Sequence, residues 1–151
     1  MDIFLVRHAE AIDETLELRD PMRHLTMHGR EQARALGDRM RWHDCTPVHI
    51  WTSPLVRAVQ TAELLATGLE TKVAVDVAPS LAPGEDARAM INALNALAGD
   101  VVLVGHEPGL SALATLLVGK DVGAIAKAEA VRIADGQLRW RCAWNSEAPS
   151  R

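Results

Sequence analysis

The stretch VVLVGHEPGL, residues 101–110, decides the fold. Its first four residues are apolar without alternation, as a strand buried on both faces requires, and such strands belong to parallel sheets covered by helices on both sides. Gly105 ends the strand abruptly, and a helical pattern starts near Pro108 and stops before Gly119. The same punctuation recurs upstream, where IFLV (3–6), VHIW (48–51) and VAVDV (73–77) read as further strands. A helix is expected from Thr26 to Trp42, with Thr26 as N-cap and Ala33, Leu36, Gly37 and Met40 on one face. A second opens SPLVRAVQTAELL (53–65), with Ser53 as N-cap, Pro54 at the first helical position and Leu55, Ala58, Val59 and Ala62 as its apolar face. A third, DARAMINALNAL (86–97), carries Met90, Ile91, Leu94 and Leu97.

This alternation predicts an α/β fold, a three-layer α/β/α sandwich around a mostly parallel central sheet. The end of the chain differs. EAVRIADGQLRWRCAW (129–144) alternates on either side of Asp135-Gly136, a two-residue hairpin signal, and predicts an antiparallel edge. Leu138, Trp140, Cys142 and Trp144 are expected inward, with Arg139 and Arg141 outward. Residues 1–145 read as one domain, and 146–151 as a frayed tail.

With 151 residues, 48% hydrophobic and 24% charged, the chain is long enough for one good core. Four Trp, one Phe and no Tyr make that core aliphatic and argue against a base-stacking surface. A net charge of −4 removes the broad attraction that nucleic acid or an anionic membrane needs, so any positive site must be local. Cys45 and Cys142 lack zinc or redox spacing. The apolar run Ile3 to Val6 is too short for a secretory signal, and a cytoplasmic protein is expected.

In open α/β sheets ligands sit beyond the carboxyl ends of the strands, and three stretches place polar residues there. LVRHAE (5–10) ends the first strand on Arg7 and His8, IWTSPLVRA (50–58) puts Arg57 in a first helical turn, and VVLVGHEPGL delivers His106. Each alone is unremarkable: a chance dipeptide, a solvated helix arginine, a loop histidine. Together, two arginines and two histidines converging with helix N-termini favour an anion, and two guanidinium forks suit phosphate. The histidines go beyond binding. A neutral imidazole is a competent nucleophile toward phosphorus, and nearby arginines are expected to depress its pKa by charge repulsion. A second, protonated histidine could donate to an equatorial oxygen of the transferring group.

At this point the chain resembles the histidine phosphatase superfamily, the phosphoglycerate mutase-like group. LVRHAE resembles its Arg-His-Gly signature, with Ala9 in place of the glycine, as often in its small SixA-type phosphohistidine phosphatases. RHLTMHGREQA (23–33), TSPLVRAVQTA (52–62) and VGHEPGLS (104–111) follow in family order, so the resemblance spans nearly the whole chain. It implies that His8 is the nucleophile that becomes phosphorylated, that Arg7, Arg57 and His106 complete the phosphate pocket, and that Arg23 adds a basic group near it. Phosphate or vanadate would be its site ligand.

Within that family the stretch DVAPSLAPGEDAR (76–88) is short and holds little lid material, which suits a phosphorylated side chain presented on another protein. A histidine-containing phosphotransfer domain or carrier is the implied partner. Glu85 and Asp86 are the only candidates for a general acid, and Asp86 is equally placed to cap the third helix. The imidazole of phosphohistidine leaves with little help, so a site without a dedicated acid favours P–N over P–O substrates. Glu107 is expected to cap the helix after Pro108 or to hold His106 protonated. His24, His28, His43 and His49 share no metal spacing, and neither metal nor cofactor is expected. A monomer is expected. The alternatives are a small-molecule phosphomonoesterase on the same site and a non-catalytic module that binds phospho-ligands.

Overall fold

The computed structural model describes residues 1–150. Six strands form one sheet: β1 (Asp2–Arg7), β2 (His49–Thr52), β3 (Val75–Val77), β4 (Val101–Gly105), β5 (Glu129–Ala134) and β6 (Gln137–Ala143). Their spatial order is β3-β2-β4-β1-β5-β6. The contacts β3-β2, β2-β4 and β4-β1 are parallel, and β1-β5 and β5-β6 are antiparallel. Four helices cover the sheet: α1 (Met27–Arg41), α2 (Val56–Leu69), α3 (Ala87–Asn95) and α4 (Gly109–Val118).

Strand parity builds the two cores. Side chains alternate across a sheet, so Phe4, Val6, Val102 and Val104 pack on Leu36 and Met40 of α1 and Ala62 and Leu65 of α2. Ile3, Leu5, Val101 and Leu103 face the other way, onto Met90 and Leu94 of α3 and Leu110 and Leu113 of α4. Every residue of β4 is buried because β4 lies between two strands and two helical layers. The expected α/β/α sandwich with an antiparallel hairpin at its edge is what forms.

Local signals hold where they concern one turn of chain. Thr26 caps α1, its Oγ1 accepting from the Gly29 amide at 2.9 Å. Asp135 and Gly136 adopt φ of 52° and 69°, the left-handed pair that a tight hairpin turn demands.

Other expectations need correction. α2 starts at Val56 with Leu55 in the capping position and no side-chain cap, so Ser53 is not its N-cap. A β-bulge sets Arg132 opposite Trp140 but Ile133 opposite Leu138, leaving Arg139 as the extra residue. The bulge switches faces: Leu138 packs on the α3–α4 core, while Trp140 and Cys142 enter the α1–α2 core beside Phe4. Four inward residues on a single face therefore do not occur. Arg141 is not simply outward either. It pairs with Glu129 at 2.9 Å and donates to the carbonyls of Val122 and Ala124, tying down the connection from α4 to β5. Ser150 exchanges two main-chain hydrogen bonds with Arg141 at 2.8 and 2.9 Å. Arg151 lies outside the described residues.

Candidate active site

Register brings the polar strand ends together. Arg7 pairs with Gly105 and Thr52 with Val104, so β1, β2 and β4 finish level with one another. The next residue on each strand continues the alignment. The His8 amide donates to the Gly105 carbonyl at 3.1 Å, and the Ser53 amide to that of Val104 at 2.9 Å. His8 and His106 consequently lie side by side, ring centroids 5.1 Å apart. α2 brings in Arg57 from its first turn, and the loop after β1 brings in Asp20 and Arg23. With Arg7, Pro83, Glu107 and Lys127 these residues line a cavity of about 270 Å³.

His8 is only 6% exposed. Its Nδ1 lies 2.8 Å from the Ala9 carbonyl, which can only accept, so the hydrogen-bond network assigns the proton to Nδ1. Nε2 is left as a bare lone pair. The segment carrying this bond is itself fixed, because the Ala9 amide donates to Thr61 Oγ1 and that hydroxyl donates to the Arg57 carbonyl. Burial lowers the His8 pKa to about 3, opposed by the Ala9 hydrogen bond and reinforced by the charges of His106, Arg57 and Arg7. Desolvation, rather than the arginines, is thus the main reason His8 is neutral.

His106 is also lowered, to about 4, by burial first and Arg57 next. The expected protonated His106 is therefore replaced by a neutral imidazole at pH 7. Its Nε2 lies 2.7 Å from Ser53 Oγ. Ser53 Oγ also accepts from the Leu55 amide at 3.2 Å, and among its hydrogen bonds Nε2 is the only acceptor for its own proton, which assigns the imidazole proton to Nδ1. Nδ1 is buried without a partner, as are Arg7 Nε and Arg57 Nε. All three side chains line the same cavity, and its guanidinium groups suit an anion with several acceptor oxygens.

Among the residues anticipated from sequence, Arg7, His8, Arg23, Arg57 and His106 are brought together in this cavity. Glu85 and Asp86 do not line it. Asp86 caps α3, accepting from the Arg88 amide at 2.9 Å, and Glu85 borders a neighbouring, largely apolar cavity that shares Pro83, His106 and Glu107. Glu107 spends both oxygens on main-chain amides, those of Ser111 and Ile125, so it caps α4 and does not hydrogen-bond His106. Sequence reasoning missed Asp20, Lys127, the orienting part of Ser53 and the brace through Thr61. Only Asp20 left a trace, as an acid three residues before Arg23. A larger groove of about 660 Å³ between α1 and α2 mixes Arg30 and Arg34 with Glu31, Asp38 and Glu70 and contains no histidine. Among the described residues no cluster of three His, Cys, Asp or Glu side chains is placed to hold a metal ion, and no helix is long and apolar enough to cross a membrane.

Residues 3–82 match the family model of the histidine phosphatase superfamily (branch 1). A phosphohistidine phosphatase SixA homolog from Haemophilus influenzae is 32% identical over 131 residues, 80% of this chain and 79% of that protein. Phosphohistidine phosphatase SixA from Escherichia coli is 27% identical over 112 residues, 72% of this chain and 68% of its own. The fold superposes on the protein histidine phosphatase SixA complexed with tungstate with a TM-score of 0.84 at 23% identity, covering 95% of this chain and 97% of that one. The chain belongs to the histidine phosphatase superfamily, branch 1, and its activity is that of a phosphatase.

Proposed function

We propose that this phosphatase removes the phosphoryl group from phosphohistidine on a protein, through a covalent phospho-His8 intermediate. The observation that carries the reading is the Nδ1–H bond from His8 to the Ala9 carbonyl, which leaves the Nε2 lone pair available beside two arginines. In the first step Nε2 bonds to phosphorus and the P–N bond to the substrate breaks. Its electron pair returns to the substrate ring, which carries a proton on its other nitrogen and so leaves as neutral imidazole. In the second, water attacks the phosphorus of phospho-His8, the P–Nε2 bond breaks, and orthophosphate leaves with His8 neutral again. Arg7, Arg57 and the Nδ1–H of His106 stabilise the charge on the equatorial oxygens, with Arg23 at the margin. Positive charge comes from guanidiniums, so the reaction needs no metal and no cofactor.

The substrate class follows from the leaving group. Neither Glu85 nor Asp86 lines the phosphoryl cavity, and the carboxylates that do, Asp20 and Glu107, are engaged by arginines and by main-chain amides. An alkoxide would leave unprotonated, whereas a protonated phosphohistidine ring leaves readily. A histidine-containing phosphotransfer domain or carrier, met by a monomer in the cytoplasm, fits that chemistry. A second reading, a small-molecule phosphomonoesterase, is favoured by the adjoining apolar cavity of about 270 Å³, which could house an organic leaving group. Rates on a phosphohistidine protein, an aryl phosphate and phosphoserine separate the two. The expected order has phosphohistidine and the aryl ester far ahead of phosphoserine, acid-labile label on the enzyme, and loss of label and turnover in His8→Ala. Chelators should change nothing. Rapid hydrolysis of alkyl esters would favour the second reading, and label on another residue would overturn the intermediate.

A further inference from the structure

We propose that Asp20 is a resident counter-anion of the phosphate cavity, whose carboxylate engages the guanidinium groups an incoming phosphoryl group must use and so weakens the hold on free orthophosphate. The inference rests on the phosphatase reading of the cavity and concerns a residue to which neither the sequence nor family membership gave a part. Asp20 opens a short 3₁₀ turn, Asp20–Met22. Its Oδ1 lies 3.0 Å from Arg23 Nη1 and its Oδ2 3.4 Å from Arg57 Nη2.

The carboxylate is not what positions those arginines. Arg57 Nη1 donates to the main-chain carbonyl of Asp20 at 2.8 Å, and Arg23 Nε to that of Ile12 at 2.6 Å. The turn is also held independently, the Asp20 amide donating to Glu14 Oε2 at 2.7 Å. With both guanidiniums placed by main-chain acceptors, the carboxylate is left as an electrostatic partner for N–H groups at the cavity wall.

Exposure is unequal across the pair. The Asp20 side chain is 44% exposed and the Arg57 side chain 7%. The carboxylate can turn into solvent at small cost, whereas the guanidinium cannot leave. A phosphoryl dianion outcompetes a single carboxylate for two arginines, but its net affinity is reduced by the ion pairs it replaces. Orthophosphate has only the cavity to bind, so it bears that reduction in full. A phosphoryl group on a protein can offset it with contacts outside the cavity. Asp20 thereby biases the site toward a presented phosphoryl group and against its own product.

Calorimetric titration with orthophosphate tests this without turnover. Asp20→Asn keeps the main-chain carbonyl and removes the charge, and should bind orthophosphate about 3- to 10-fold tighter than the wild type. Asp20→Glu should stay near the wild type. During aryl phosphate turnover the inhibition constant of phosphate and KM should fall together in Asp20→Asn. A residue that merely supported the turn would give weaker binding on substitution, so tighter binding is the discriminating sign. Asp20→Ser is the second variant if asparagine disturbs the turn, and the same tightening is expected. Unchanged or weaker binding in the folded variants overturns the proposal while leaving phosphohistidine hydrolysis intact. Failure to hydrolyse phosphohistidine, with phosphate binding tightened as expected, overturns the substrate reading and leaves Asp20 in place. No orthophosphate binding by any variant overturns both.

Discussion

At the scale of single residues, the proposed chemistry depends on which nitrogen carries a proton. The Ala9 carbonyl sets this for His8 and the Ser53 hydroxyl for His106, each through one short bond. Both imidazoles are neutral for the same reason, burial. Full positive charge at the cavity comes from Arg7, Arg23, Arg57 and Lys127. Arg57 supplies it from a buried site, with Nε unpaired and Nη1 pinned by Asp20. Lysine would keep the charge but lose the planar fork and the bond to the Asp20 carbonyl. Arg57→Lys should therefore lower kcat/KM on an aryl phosphate by about 10²–10³, the scale of losing one preorganised electrostatic donor. A change below threefold would remove Arg57 from the phosphate grip.

At the scale of elements, two contacts make the cavity possible. One is the level finish of β1, β2 and β4. The other is the close approach of α1 and α2, which fixes the helix that carries Arg57 and Thr61. Gly37 and Gly68 meet at that crossing, and a Cβ on Gly68 would run into the Arg34 carbonyl and lie 3.0 Å from the Gly37 Cα. Those obstacles are main chain and cannot rotate away. Gly68→Ala should destabilise the fold by about 1–3 kcal/mol, the usual cost of overpacking, read as a lowered urea midpoint with an unchanged m-value. A neutral or stabilising result would mean that the helices separate freely and that the α1–α2 contact does not hold Arg57 in place.

For the whole molecule, the two buried neutral histidines couple the site to folding. In the unfolded chain each takes up a proton near its ordinary pKa of 6.5, whereas in the folded chain His8 and His106 resist protonation down to about 3 and 4. Between those values the unfolded state binds more protons, so stability rises with pH and falls on acidification below about 6.5. Asp20, whose pKa is lowered chiefly by its bond to Arg23, pushes in the same direction at more acid pH. Urea midpoints should drop between pH 7.5 and pH 5, and His8→Gln should flatten that slope. A midpoint independent of pH in this window would show that the imidazoles are not held neutral by the fold.

Local rules reach as far as one turn or one strand, and within that reach the sequence alone determined the outcome. The unbroken VVLV run made β4 a doubly covered strand, Thr26 capped α1, and Asp135-Gly136 turned the hairpin. The positions of Arg7, His8, Arg57 and His106 at element junctions were legible for the same reason. What joined them was not local. Arg7 and Gly105 share a rung of the sheet because β1 and β4 pair in one register across about a hundred residues of chain, and neither strand specifies that register alone. The same holds for Ser53, which local preference casts as a helix cap and which β4 turns into the partner of His106. It holds for Leu138 and Trp140, whose opposite faces follow from a bulge between two strands. Asp20 is the extreme case: its place against Arg57, 37 residues away, depends on an irregular loop folding over the ends of the sheet. Sequence determines which groups are available at strand ends and helix starts, whereas their protonation and pairing are decided by neighbours that only the tertiary structure brings within hydrogen-bond distance.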